Sequence, residues 1–185
     1  MKKLKNSELN RISLEEFKNS SKTPIKVVLD NIRSAHNVGS IFRTCDAFLI
    51  DEIILCGITA VPPNNEIRKT ALGSTESLKW TYVEEIENAI LKLKSENYNI
   101  VSIEQADKST PLENFSLDSG KKYAVIFGNE IKGVSQNVID LSDDVVEIAQ
   151  YGTKHSLNVS CFLKPLATFH SVSYTHLTLP TIAIV

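Results

Sequence analysis

At 185 residues, 42% apolar and 23% charged, the chain has the composition of one ordinary globular domain and not of a disordered or fibrous protein. Twenty Lys and Arg stand against 22 Asp and Glu for a formal charge of -2, which excludes whole-surface attraction to nucleic acid and leaves only local basic patches. No apolar stretch reaches the roughly 20 residues a membrane helix needs, and Cys45, Cys56 and Cys161 show no metal-ligand spacing, so a soluble, cytoplasmic protein with reduced thiols is expected.

Along the chain, Ser13-Leu14-Glu15-Glu16 fits a capping box and predicts a short helix ending by Ser20-Ser21. Residues 1–24 then form an N-terminal helical extension. Ile25-Lys26-Val27-Val28-Leu29 reads as a strand, and Val38, Ile41, Phe42 and Cys45 at i, i+3, i+4, i+7 predict a helix, expected to begin just after Gly39. Glu52-Ile53-Ile54-Leu55-Cys56 is a second strand closed by Gly57. Pro62-Pro63-Asn64-Asn65 must be loop, because proline fixes φ and donates no hydrogen bond. A short helix over 66–72 is stopped by Gly73, and 84–97 carries Ile86, Ile90 and Leu93 at helical spacing. Strands over 99–103, 123–127 and 145–148 complete the pattern. Such alternation predicts an α/β fold, a mainly parallel sheet with helices on both faces.

Three stretches each join an apolar run to a glycine-containing turn and then to a helix-like segment, the junction at which α/β proteins place ligands. The first is Asn37-Val38-Gly39-Ser40-Ile41-Phe42-Arg43, whose Arg43 offers a permanent cation with a five-donor fork. The second is Phe127-Gly128-Asn129-Glu130-Ile131-Lys132-Gly133, where Gly128 permits close backbone approach and Glu130 can fix a guanidinium or accept a hydrogen bond. The third is Ile148-Ala149-Gln150-Tyr151-Gly152-Thr153-Lys154-His155-Ser156-Leu157-Asn158-Val159-Ser160, with hydroxyl and amide groups at a helix start. Singly, each has a plain structural alternative: a helix Arg in a surface ion pair, a turn with an exposed acid, and a helix cap.

In order, spacing and residue type, the three stretches together resemble the signature motifs of the SpoU (TrmH-like) branch of the SPOUT RNA methyltransferases. The resemblance runs from about Leu4 to Ser160. It implies a C-terminal deep trefoil knot, S-adenosylmethionine as methyl donor, no metal, and transfer to a ribose 2'-hydroxyl of tRNA or rRNA. By the same mapping Arg43, Asn37, Glu130, Ser156 and Asn158 would be catalytic, with Arg43 acting on the hydroxyl. Gly128, Ile148, Leu157, Ile103 and Glu104 would surround the donor. Arg33, Arg68, Lys69, Lys132 and Lys154 neighbour the motif loops and form a candidate phosphate track. His36 and His155 lie beside motif residues, and phosphate or solvent contact is the expectation for both. Family members act as homodimers through a helix that follows the third motif.

Residues 25–160 are accordingly the expected catalytic domain. The segment 161–185 has no Asp or Glu and a single Lys, and Pro165 interrupts the helix the family would place there. It resembles a translated adapter and is expected to be non-native sequence, with weak dimerisation as the consequence. A donor-binding RNA-binding or ribosome-assembly module without catalysis is the competing class. It would keep Gly128 and Leu157 but lose Arg43, Glu130, Ser156 or Asn158, all of which are present. A nucleotide-binding oxidoreductase would need G-x-G-x-x-G after the first strand, where this chain has only Asn37-Val38-Gly39.

Overall fold

A computed structural model describes residues 1–5, 8–9, 11–118, 120–153 and 158–159. Within them a seven-stranded sheet is built from β1 (Thr23–Asp30), β2 (Ile50–Cys56), β3 (Lys79–Val83), β4 (Tyr98–Ile103), β5 (Thr110–Pro111), β6 (Lys122–Phe127) and β7 (Asp144–Glu147). Their order is β3-β2-β1-β6-β4-β7-β5, and every paired strand is parallel. The helices are α1 (Leu14–Asn19), α2 (Ala35–Ala47), α3 (Asn65–Ala71), α4 (Ser74–Ser77), α5 (Ile86–Ser95) and α6 (Gln136–Leu141).

Alternation along each strand divides the core in two. Val27, Leu29, Ile53, Leu55, Val125 and Phe127 face Phe17 of α1, Phe42 of α2 and Ile67 of α3. Val28, Ile54, Ile100 and Ile126 face Ile90 and Leu93 of α5 and Val138 of α6. Strands buried on both faces read as near-continuous apolar runs, which is why β1, β2 and β6 were visible in sequence. The sheet and its two helical layers therefore match the expected α/β class.

Some boundaries differ from expectation. The capping box is present, with the Ser13 N–H donating to Glu16 at 2.7 Å and the Glu16 N–H donating to Ser13 Oγ at 3.2 Å. Phe17 is buried in the main core, so α1 is packed onto the domain, and β1 already begins at Thr23. Helix α2 starts at Ala35, capped by Ser34, so Gly39 lies inside it and not before it. A glycine is accommodated there because α3 crosses close by: a Cβ on Gly39 would lie 2.4 Å from the Ile67 carbonyl oxygen and 2.1 Å from Thr70 Oγ1. Strands β3 and β5 and helices α4 and α6 had no clear periodic signal; β3 is half-exposed with little alternation. The expected knot crossing and the segment 161–185 lie outside the described residues.

Strand order sets the position of the site. From β1 the chain moves outward to β2 and β3 on one side, whereas β6 leads through α6 to β7 on the other. The loops leaving adjacent β1 and β6 thus diverge, opening a crevice at the carboxyl edge of the sheet where α/β folds bind ligands.

Candidate active site

The β1–α2 turn is fixed by its own backbone. Asn31 sits at φ 55°, a left-handed conformation that Asn tolerates better than most residues. Its side chain donates to Asp30 at 2.7 Å and accepts from the Ile58 N–H at 3.1 Å, tying the ends of β1 and β2 together. Ser34 then caps α2 by accepting from the Asn37 N–H at 3.2 Å.

Glu130 crosses from the β6 loop to this turn. Its carboxylate accepts from the N–H groups of Arg33 at 2.9 Å and Ser34 at 3.1 Å, and from Asn37 Nδ2 at 3.1 Å. Burial pushes the carboxyl upward, but these donors outweigh it and hold Glu130 below the usual carboxylate range. A negative charge at the start of a helix is also favoured by the helix dipole. Asn37 extends the chain of contacts, because its Oδ1 accepts from Asn158 Nδ2 at 3.1 Å. Glu130, Asn37 and Asn158, one from each motif, are therefore hydrogen-bonded in a row.

Beside this row opens a cavity of about 530 Å³, bounded by the carboxyl ends of β4, β6 and β7. Ile103, Glu104, Gly128, Glu130 and Ile148 are among its lining residues, as is Val159. Two glycines in its lining are closely packed, one against backbone and one against a carboxylate. A Cβ on Gly128 would come within 2.3 Å of the Gly133 carbonyl carbon, and one on Gly133, at φ 66°, within 2.1 Å of Glu104 Oε2. Only glycine fits at either position. Glu104 accepts from the Val134 N–H at 2.7 Å and the Gln105 N–H at 2.9 Å, so its carboxylate ties the loop after β4 to the end of the β6 loop.

The expected site residues thus fall into groups. Four of the five expected around the donor line the one cavity; the fifth, Leu157, lies outside the described residues, as do Ser156, Lys154 and His155. Asn37, Glu130 and Asn158 meet directly. Arg43 does not join them: six positions along a helix of 3.6 residues per turn turn it about 120° from Asn37. It is exposed, on the side of α2 that carries His36 and Gly39, and its guanidinium makes no hydrogen bond or ion pair among the described residues. Of the two readings of Glu130, this arrangement shows the carboxylate accepting hydrogen bonds and not fixing a guanidinium, and the Asn37 side chain is bonded to Glu130 and Asn158.

Of the candidate phosphate contacts, Arg33 and Lys132 are exposed near the cavity mouth, and Arg68 and Lys69 are exposed on α3. Lys69 pairs with Glu66 at 2.6 Å, and His36 pairs with the same carboxylate. Glu66 so neutralises part of the track. Sequence reasoning missed Asn31 and Asn129. Their signal was available in the strand-end pairs Asp30-Asn31 and Gly128-Asn129, since Asn at such positions favours left-handed turns and side-chain-to-backbone bonds.

The SpoU rRNA Methylase family model matches residues 24–161. Among relatives, the tRNA (guanosine(18)-2'-O)-methyltransferase of Aquifex aeolicus is 32% identical over 152 residues, covering 80% of this chain and 68% of that one. A solved structure of the A. aeolicus TrmH/SpoU tRNA modifying enzyme superposes with a TM-score of 0.76 at 23% identity, over 88% of this chain and 81% of that one. The AdoMet-bound rRNA methyltransferase of Sinorhizobium meliloti gives 0.74 at 24% identity, over 88% and 61%. With the motif residues gathered at the carboxyl edge of a parallel sheet and the family model spanning most of its length, this chain belongs to the SpoU rRNA methylase family.

Proposed function

We propose that the chain is an S-adenosylmethionine-dependent RNA methyltransferase acting on a ribose 2'-hydroxyl of tRNA or rRNA. The observation that carries this reading is the junction of the hydrogen-bonded row Glu130–Asn37–Asn158 with the glycine-lined cavity. At about 530 Å³ the cavity is of the size that holds cofactor-sized ligands. The glycines at 128 and 133 let the loop fold tightly on itself and on Glu104, which presents main-chain groups at the cavity wall and suits a nucleoside donor gripped by backbone. When bound, S-adenosylmethionine supplies an electrophilic methyl group on a cationic sulfur, so no metal is required.

The residues of this chain then have distinct tasks. Gly128, Gly133, Ile103 and Ile148 would bind and exclude water on the donor side. Glu130, ionised and saturated with N–H donors, would lock the β6 loop onto the start of α2 and so orient the acceptor side. Asn37 and Asn158 present a coupled amide pair at the lip. Arg43, a permanent cation on a neighbouring face, would meet the developing oxyanion or the adjoining phosphate once RNA is in place. Arg33, Lys132, Arg68 and Lys69 would position the backbone without reading bases. Cytoplasmic location and homodimer formation are proposed on the family resemblance, and sedimentation tests the second.

Calorimetry with S-adenosylhomocysteine in the presence of a metal chelator should show binding by the wild-type chain, and RNA incubated with labelled donor should gain label at ribose oxygens. Arg43→Ala should abolish transfer while donor affinity stays within about threefold, because the side chain lies off the cavity. Metal-dependent binding, or label on a base, would overturn the assignment. Equal loss of donor affinity in Arg43→Ala would move that residue to a structural role.

A further inference from the structure

We propose that Asn129 is a positioning residue that couples the donor loop to the acceptor-side turn, an inference that rests on the methyl-transfer reading above. The loop 128–133 is closed by two backbone bonds: the Asn129 N–H donates to the Gly133 carbonyl at 3.1 Å, and the Gly133 N–H donates to the Asn129 carbonyl at 2.8 Å. Inside that closure the Asn129 side chain works in two directions. Its Oδ1 accepts from the N–H groups of Ile131 and Lys132, both at 3.0 Å, which shapes the loop itself. Its Nδ2 donates to the Asn31 carbonyl at 2.8 Å, which ties the loop to the β1–α2 turn.

The amide orientation is unambiguous. A flipped side chain would set its NH2 against two N–H groups and its oxygen against a carbonyl. The anchor is equally firm, because Asn31 is itself bonded to Asp30 and Ile58. Glu130 follows Asn129 directly and reaches Arg33 and Ser34, two and three residues beyond the anchor. One side chain so sets both the shape of the loop that lines the cavity and its alignment on the helix that carries Asn37 and Arg43. The acceptor half of the amide belongs to the donor side, and the donor half to the acceptor side.

Two substitutions separate the halves. Asn129→Asp keeps an acceptor for Ile131 and Lys132 but places a second oxygen against the Asn31 carbonyl; Asn129→Ala removes both functions. In the full chain, affinity for S-adenosylhomocysteine should stay within about threefold of wild type in Asn129→Asp and fall about tenfold in Asn129→Ala. Methyl transfer at saturating donor should fall about tenfold or more in both. Amide exchange followed by nuclear magnetic resonance should speed at Arg33 and Ser34 in both variants, and at Ile131 and Lys132 only in Asn129→Ala. Unchanged exchange at Arg33 and Ser34 in Asn129→Asp would overturn the proposal, whether or not the chain methylates RNA. So would losses of affinity and rate that run parallel in the two variants and track their melting temperatures. A wild-type chain that binds the donor and never transfers a methyl group would instead overturn the functional reading, with the exchange data still deciding the role of Asn129.

Discussion

Glu130 carries the most specific chemistry of any single residue at the site, because one carboxylate receives three N–H donors from the start of α2. Glutamine in its place keeps one acceptor and turns an NH2 toward those donors. Hydrogen bonds to a charged group are worth about 1.5–3 kcal/mol when sheltered, and partial exposure reduces this, so Glu130→Gln should cost roughly 1–2 kcal/mol at pH 7. The pH dependence has a definite sign. With its folded pKa depressed, Glu130 contributes fully above the unfolded value of about 4.3 and loses that contribution as pH falls through the lower folded value. Urea unfolding of the two proteins should therefore differ at pH 7 and converge in acid; a gap that widens in acid would show that the carboxylate is not stabilised as drawn. Residue roles of this kind were only half legible in sequence. Gly128, Glu130 and Asn37 stood out by spacing, but the partners of Glu130 are backbone N–H groups some 96 or 97 positions away, which no local pattern encodes.

Helix α2 shows why an element can be found by its period and still be misplaced at its end. The buried face Val38, Ile41, Phe42 and Cys45 was legible, whereas Gly39 suggested a turn because a helix-interior glycine is disfavoured by about 1 kcal/mol against alanine. Tertiary packing reverses that preference here. Thr70 Oγ1 donates to the His36 carbonyl at 3.0 Å, holding α3 against the very turn that contains Gly39. On an exposed helix Gly39→Ala would stabilise; at this crossing the added methyl meets an Ile67 carbonyl oxygen at 2.4 Å, and backbone must move. Overpacking of this kind costs about 1–3 kcal/mol, which exceeds the propensity gain, so the variant should be less stable than wild type in urea. A more stable Gly39→Ala would mean that α3 yields easily. The same turn-by-turn geometry parts Asn37 from Arg43, two residues that the motif string sets side by side as catalytic candidates.

The molecule as a whole separates its working edge from its stabilising face. Asn37, Gly128, Glu130 and Asn158 gather at the carboxyl ends of the parallel strands, and roughly 13 Å back along β1, at 3.3 Å per residue from Asp30, lies a buried ion network. Lys26 and Glu52 are register partners on β1 and β2, 8% and 4% exposed, with Nζ 3.0 Å from the carboxylate. Glu96 at 3.2 Å and Lys79 at 3.3 Å complete it from α5's end and β3. Burial alone would lower the Lys26 ammonium and raise the Glu52 carboxyl, yet their mutual attraction wins and shifts both the other way. Sequence gave no warning, since Lys26 sits in an apolar run and its partner Glu96 is 70 positions on. Lys26→Met removes the cation and leaves Glu52 buried with only Lys79 and Thr81 as partners. Breaking such a pair from one side costs roughly 3 kcal/mol, whereas replacing both charges by apolar groups is often nearly neutral. Lys26→Met should therefore lower the urea midpoint strongly, and Lys26→Met/Glu52→Leu should recover most of the loss. Donor affinity of either folded variant should match wild type, because no described contact links this network to the cavity lining. If the single variant were as stable as the double, the charges would be too well hydrated to matter. If affinity fell with stability restored, the two ends of the sheet would be coupled through the strands themselves.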